Sequence, residues 1–162
     1  MGYVPGAWAA FGGALAAAAG ALTGLLFVAV SVKGSALVES PALSSRAAQT
    51  LVLFMTSVMT AVVLVAPQPS TAVGWQLLAV AVLSGAGLLV LDRRAGHARE
   101  SGVARYVERF SPNTITAILV GVAGVTVIVR AGGGLYWLIP AAAASLIGGV
   151  INAWLFLVRV PS

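Results

Sequence analysis

Polar and apolar positions segregate along this chain in blocks rather than alternating. Residues 7–32, 47–66, 72–91, 114–129 and 135–158 contain no Asp, Glu, Lys, Arg or His. About 20 apolar residues at ~1.5 Å rise cross a ~30 Å hydrocarbon core. The pattern predicts an all-α integral membrane protein with five transmembrane helices, folded as one bundle over residues 1–162. The connection between the third and fourth spans is the one substantial piece outside the bilayer. There Val103, Tyr106, Val107 and Phe110 recur at i, i+3, i+4 and i+7, with Arg99, Glu100, Arg105, Glu108 and Arg109 around them. Residues 95–110 therefore read as a cytoplasmic amphipathic segment lying on the membrane surface, weakened by Gly102 and ended by Ser111-Pro112-Asn113.

Within the spans the small residues make patterns of their own. Gly12, Ala16, Gly20 and Gly24 recur every four residues, with Gly13, Ala17 and Ala21 beside them. Ala141, Ser145, Gly149 and Ala153 repeat the ladder in the fifth helix. In lipid, helices associate through close backbone approach, which small residues permit. Both ladders are expected packing faces, and they suggest that helices one and five pack tightly, within a protomer or between copies. The second helix is the most polar. Gln49, Thr50, Thr56, Ser57 and Thr60 fall within an arc of roughly 120° at 100° per residue, and Met55 and Met59 lie outside it. This arc, with Ser145 and Asn152 of helix five, is either a set of interhelical hydrogen bonds or the lining of a hydrated path completed by symmetry.

The connections read from their punctuation. Residues 33–45, with Gly34, Pro41 and several serines, predict a short loop, with Ser44 or Ser45 capping the second helix. Pro67-Gln68-Pro69-Ser70 predicts a tight turn, and Gly132-Gly133-Gly134 a flexible link. Tyr3, Trp8, Phe11, Tyr136 and Trp137 suit the headgroup boundary.

Charge then orients the bundle. Five spans place Lys33, Arg46, Arg93, Arg94, Arg99, Arg105, Arg109 and Arg159 on one face and leave only Arg130 opposite, out of nine Lys and Arg in all. The positive-inside rule makes the crowded face cytoplasmic, with the N-terminus outside and the C-terminus inside the cytoplasmic (inner) membrane. Without a basic n-region, and with an apolar run longer than an h-region, the first span reads as a retained helix and not a cleaved signal. The net charge of +5 sits at membrane edges, so Arg93, Arg94, Arg99, Arg105 and Arg109 are expected to meet anionic lipid headgroups rather than nucleic acid.

Composition narrows the chemistry further. Only 8% of residues are charged and there is no cysteine, which removes disulfides and thiolate chemistry. His97 is the single histidine and lies outside the spans, leaving no partner for a zinc site or a Ser–His pair. No catalytic, cofactor-binding or metal residue is expected, and no enzyme activity.

Thr23-Gly24-Leu25-Leu26-Phe27-Val28-Ala29-Val30-Ser31-Val32, followed by Pro41, Leu43, Arg46-Ala47 and Thr50-Leu51, resembles a family of small uncharacterised actinobacterial multi-pass membrane proteins. Some of its members carry the label of modulators of a membrane-anchored AAA protease. The resemblance covers about the first 65 residues and implies no site residues. Members tend to have Asn where Lys33 stands. The functional expectation is a small accessory, scaffold or regulatory protein acting by helix–helix association with another membrane protein or with itself. The alternative is a homo-oligomeric channel or passive transporter with the second helix facing the path.

Overall fold

The computed structural model describes residues 2–32, 41–95 and 112–158. Over these residues the chain forms α1 (Ala9–Val32), α2 (Pro41–Val65), α3 (Ser70–Ala95), α4 (Pro112–Val129) and α5 (Leu138–Val158). Single 3-10 turns, Pro5–Trp8 and Gly134–Trp137, lead into α1 and α5. Each helix carries an apolar stretch of 18 to 28 residues, long enough to cross a membrane. The protein is a multi-pass, all-helical membrane protein. Residues 96–111, which include Arg99, Arg105, Arg109 and nearly all of the expected amphipathic segment, lie outside the described residues, as do 33–40 and 159–162.

α2 is the hub. It packs against each of the other four helices, and half of its apolar stretch is buried, against 22% for the first and third spans. The most polar helix takes the centre, where its hydroxyls can reach carbonyls and hydroxyls of neighbouring helices as well as the carbonyl one turn back in their own. α1 packs chiefly on α2, α3 pairs extensively with α4, and α5 fills the remaining side against α2 and α4. The expected tight pairing of helices one and five within the protomer is absent: α1 touches α5 only lightly.

The core gathers toward one end of the bundle. Val63 and Leu64 of α2, Val73 and Leu77 of α3, Val120, Ala123 and Val127 of α4, and Leu138 and Ala141 of α5 form it together with Trp8 and Leu135. The connections at this end are built to close it. Leu135 N–H donates to Gly2 O at 2.8 Å, and Gly133 N–H donates to Tyr3 Oη at 3.1 Å. Trp8 is 8% exposed and meets Phe11 and Tyr136 edge-on, with centroids 5.6 and 5.1 Å away. It is a core residue and not the interfacial anchor its position suggested; Tyr136 and Trp137 are exposed, as anchors should be. Across the 66–69 turn the Gln68 and Gln76 amides pair reciprocally at 2.8 Å, and Gln68 Nε2 also donates to Val63 O at 2.9 Å.

Two connections differ from expectation. Residues 41–45 are helical, so α2 begins at Pro41 and Ser44 and Ser45 lie inside it instead of capping it. Proline is favoured in a helix's first turn because its missing N–H has no intrahelical acceptor there. The triple glycine is a specified turn: Gly132, Gly133 and Gly134 have φ of 79°, 107° and 62°, after Arg130 at 54°. Only glycine enters this region cheaply, and the Gly2 and Tyr3 bonds hold the conformation. Trp137 Nε1 adds a bond to Gly132 O at 2.7 Å.

Candidate functional site

The polar arc of α2 is turned inward. Thr50, Thr56, Ser57 and Thr60 are 2%, 5%, 3% and 3% exposed, while Met55 and Met59, off the arc, are exposed. Gln49 is half-buried, and both it and Thr50 are engaged in interactions. Thr56 Oγ1 donates to Val52 O one turn back at 2.7 Å. Ser57 and Ser145, one on α2 and one on α5, share a hydrogen bond between their hydroxyls, and Ser145 Oγ reaches toward Leu53 O at 3.4 Å. From α4, Thr116 Oγ1 donates to Pro112 O at 2.7 Å. Such hydroxyls satisfy themselves within their own helix and still offer lone pairs to a neighbour.

Thr60 is the exception, since its buried Oγ1 has no hydrogen-bond partner. It lines a cavity of about 10 Å³ together with Thr56, Ser57 and Thr116, walled by Leu15, Val120 and residues of α5. Asn152, expected on the same strip as Ser145, is half-buried two turns further along α5 and outside this cluster. The α2 hydroxyls share one buried face, and Thr116 of α4, which the sequence reading did not single out, lines the same cavity. Its place in the cluster depends on how α4 crosses α2, and no spacing within α4 reports that.

The small ladders divide. On α5, Ala141, Ser145 and Gly149 are buried and Ala153 is half-buried. A Cβ added at Gly149 would meet the Phe54 ring of α2, 2.6 Å from Cζ. This face packs as expected, with α2 as its partner. On α1 only the first half packs. Gly12 lies against Ala61, Leu64 and Val65, and Ala16 is half-buried beside Leu15. Gly20 and Gly24 are exposed, and a Cβ at either would meet nothing within 4 Å. The inward stripe of α1 is instead Gly12, Leu15, Ala19, Thr23 and Leu26. A strict four-residue ladder drifts about 40° per step around a helix of 3.6 residues per turn, so it leaves a neighbour within a few turns. Gly13, Ala17, Gly20, Gly24 and Phe27 consequently share an outward face.

A second outward feature lies between α3 and α4. A groove of about 400 Å³ is lined by Leu78, Ala81, Val82, Gly85, Leu88 and Leu89 on one side, and by Thr114, Ala117, Ile118 and Gly121 on the other. Nearer the closed end the same two helices cross in backbone contact, where a Cβ at Gly124 would stand 2.8 Å from Gly74 O. The pair thus diverges from that crossing. Arg93 and Arg94 fall in the last turn of α3, beyond the groove.

Among the described residues no group of three His, Cys, Asp or Glu side chains is placed to hold a metal. No family model, no curated protein and no solved structure matches the chain.

Proposed function

We propose that the protein is a small, non-enzymatic accessory, scaffold or regulatory subunit of a bacterial inner membrane, acting by helix–helix association through its outer surface. The observation that carries this reading is the outward face of α1, where Gly13, Ala17, Gly20 and Gly24 are exposed and the three glycines have no neighbour among the described residues. Small residues let a second backbone approach closely, the main source of affinity between helices in lipid. The inward orientation of the α2 hydroxyls supports the same reading. A conduit lined by them would have to run inside one protomer, because they are not presented to a symmetry axis. The partner is another membrane protein or a second copy of this chain. The eight-to-one division of Lys and Arg supports an external N-terminus and a C-terminus facing the cytoplasm, with the basic side against anionic headgroups.

Phe27 lies on this outward face and is exposed, so a photo-crosslinking phenylalanine analogue placed there keeps an aromatic ring at the position and points its reactive group outward. In native membranes it is expected to yield one discrete protein adduct, either a dimer of this chain or a defined partner. The same analogue at Trp75 or Trp154, exposed on other helices, should give lipid adducts. Lipid adducts alone from Phe27 would refute the proposal.

A further inference from the structure

We infer that the groove between α3 and α4 holds one acyl chain of an anionic phospholipid, with the headgroup at the end of the pair that carries Arg93 and Arg94. Place and length come first. On α3 the lining runs over residues 78–89, a rise of ~16 Å along the helix. The apolar span containing them is Ser70–Leu91, so the groove lies chiefly in the half nearest the C-terminal end of α3. On α4 the lining residues, 114–121, fall in the first half of Pro112–Val129, at the same end of the pair. Half of a ~30 Å hydrocarbon core is ~15 Å, the depth of one leaflet. The other half of the pair is closed, because α3 and α4 cross in backbone contact at Gly74 and Gly124. A groove shut near mid-membrane and open toward one surface has the outline of a single lipid tail.

Width excludes a helix. About 400 Å³ spread over ~16 Å leaves a channel ~5 Å across. One hydrocarbon chain is ~4 Å thick, the resting distance of carbon pairs, whereas a helix needs ~10 Å. Val82, Leu89 and Ile118 are exposed along the groove, and a Cβ added at Gly85 would meet nothing within 4 Å, so the space is open to lipid. Charge then selects the headgroup. Helical register carries the α3 stripe of Val82, Gly85 and Leu89 on to Asp92 and Arg93, three and four residues past Leu89, with Arg94 next. In the five-span topology the same face of the bundle holds eight of the chain's nine Lys and Arg against its four acidic residues. A cleft between helices that opens onto a net basic surface favours a headgroup of net negative charge. The site is on α3 and α4 and does not depend on which partner the α1 face binds.

The test is native mass spectrometry of the full chain, delipidated in detergent and titrated with phosphatidylglycerol, phosphatidylcholine or a free fatty acid of the same chain length. One phosphatidylglycerol per protomer is expected, bound roughly 5-fold or more tightly than phosphatidylcholine, the effect of one basic residue beside anionic lipid. Gly85→Leu puts a side chain into the open groove and should weaken that binding about 10-fold or more, since removing two methylenes from apolar contact already does so. Gly87→Leu, equally free of neighbours within 4 Å but off the groove, should bind as wild type does. Arg93→Gln/Arg94→Gln should keep the adduct and lose the headgroup preference. A wild type without a one-to-one adduct overturns the inference whether or not the variants fold. So does Gly85→Leu that binds as wild type does, equal weakening by Gly87→Leu, or a preference that survives the arginine substitutions. Phosphatidylcholine or the fatty acid bound as tightly as phosphatidylglycerol would overturn it too.

Discussion

Replacing Gly149 with alanine adds one methyl where α5 lies against the Phe54 ring of α2. The added carbon would lie 2.6 Å from Phe54 Cζ and 3.1 Å from Cδ1. Phe54 Cε1 is closer still, and carbon pairs rest at about 3.5–4.0 Å, so the ring or the helix must give by more than ~1 Å. Phe54 is 1% exposed and has little room to turn. Overpacking of this kind typically costs ~1–3 kcal/mol, and the better helix propensity of alanine returns up to ~1 kcal/mol. The net expectation is a loss of about 1–2 kcal/mol, read as a shifted midpoint in reversible unfolding in mixed micelles. If the cause is the Phe54 contact, the cost must shrink in a Phe54→Leu background, as a double-mutant cycle measures. Gly149→Ala as stable as wild type, or an equal cost in both backgrounds, would refute the reasoning.

Gly20→Ala and Gly24→Ala should leave the protomer's unfolding midpoint unchanged or slightly raised in the same assay, because the added methyl meets no atom within 4 Å; a loss of 1 kcal/mol or more would mean that α1 packs elsewhere. Ser57→Ala and Ser145→Ala should each cost about 1–3 kcal/mol by stranding the other hydroxyl, while the double variant should cost less than their sum. Reporter fusions after Ser162 and near Gly96 should read cytoplasmic and one near Ser70 external, and finding Gly96 and Ser70 on one side would end the five-span topology.

Much of the architecture was legible because lipid makes the rules few. An uncharged run of membrane length must be a helix, so all five spans emerged with ends shifted by only a few residues. The polar arc of α2 was legible as one face, since helical phase follows from spacing alone. Its direction was not. Whether Thr56, Ser57 and Thr60 look into the protomer or toward a symmetry axis depends on which helices surround α2, a long-range property. The ladders show the same limit. Gly149 and Gly20 occupy equivalent places in equivalent patterns, yet one presses on Phe54 and the other meets open space. Trp8 was misplaced for a related reason: an aromatic near a span's start suits a headgroup, but here the 3-10 turn at Pro5–Trp8 and the folded-back Gly2 contact carry it into the core. The glycine turn at 132–134 was taken for slack because composition does not reveal that Gly2 and Tyr3 clasp it.

The central claim is that the α2 hydroxyls join helices within one protomer and that association takes place on the outside. Solvent access at those positions tests it most directly, because the chain has no native cysteine. Cysteines placed singly at Thr56, Ser57 and Thr60 should stay unreactive toward small, membrane-impermeant thiol reagents, since only thiolate reacts well and it forms only where bulk water reaches. Rapid labelling at all three, with Met55 and Met59 substitutions unlabelled, would contradict the account and make the same hydroxyls the wall of a water-filled path.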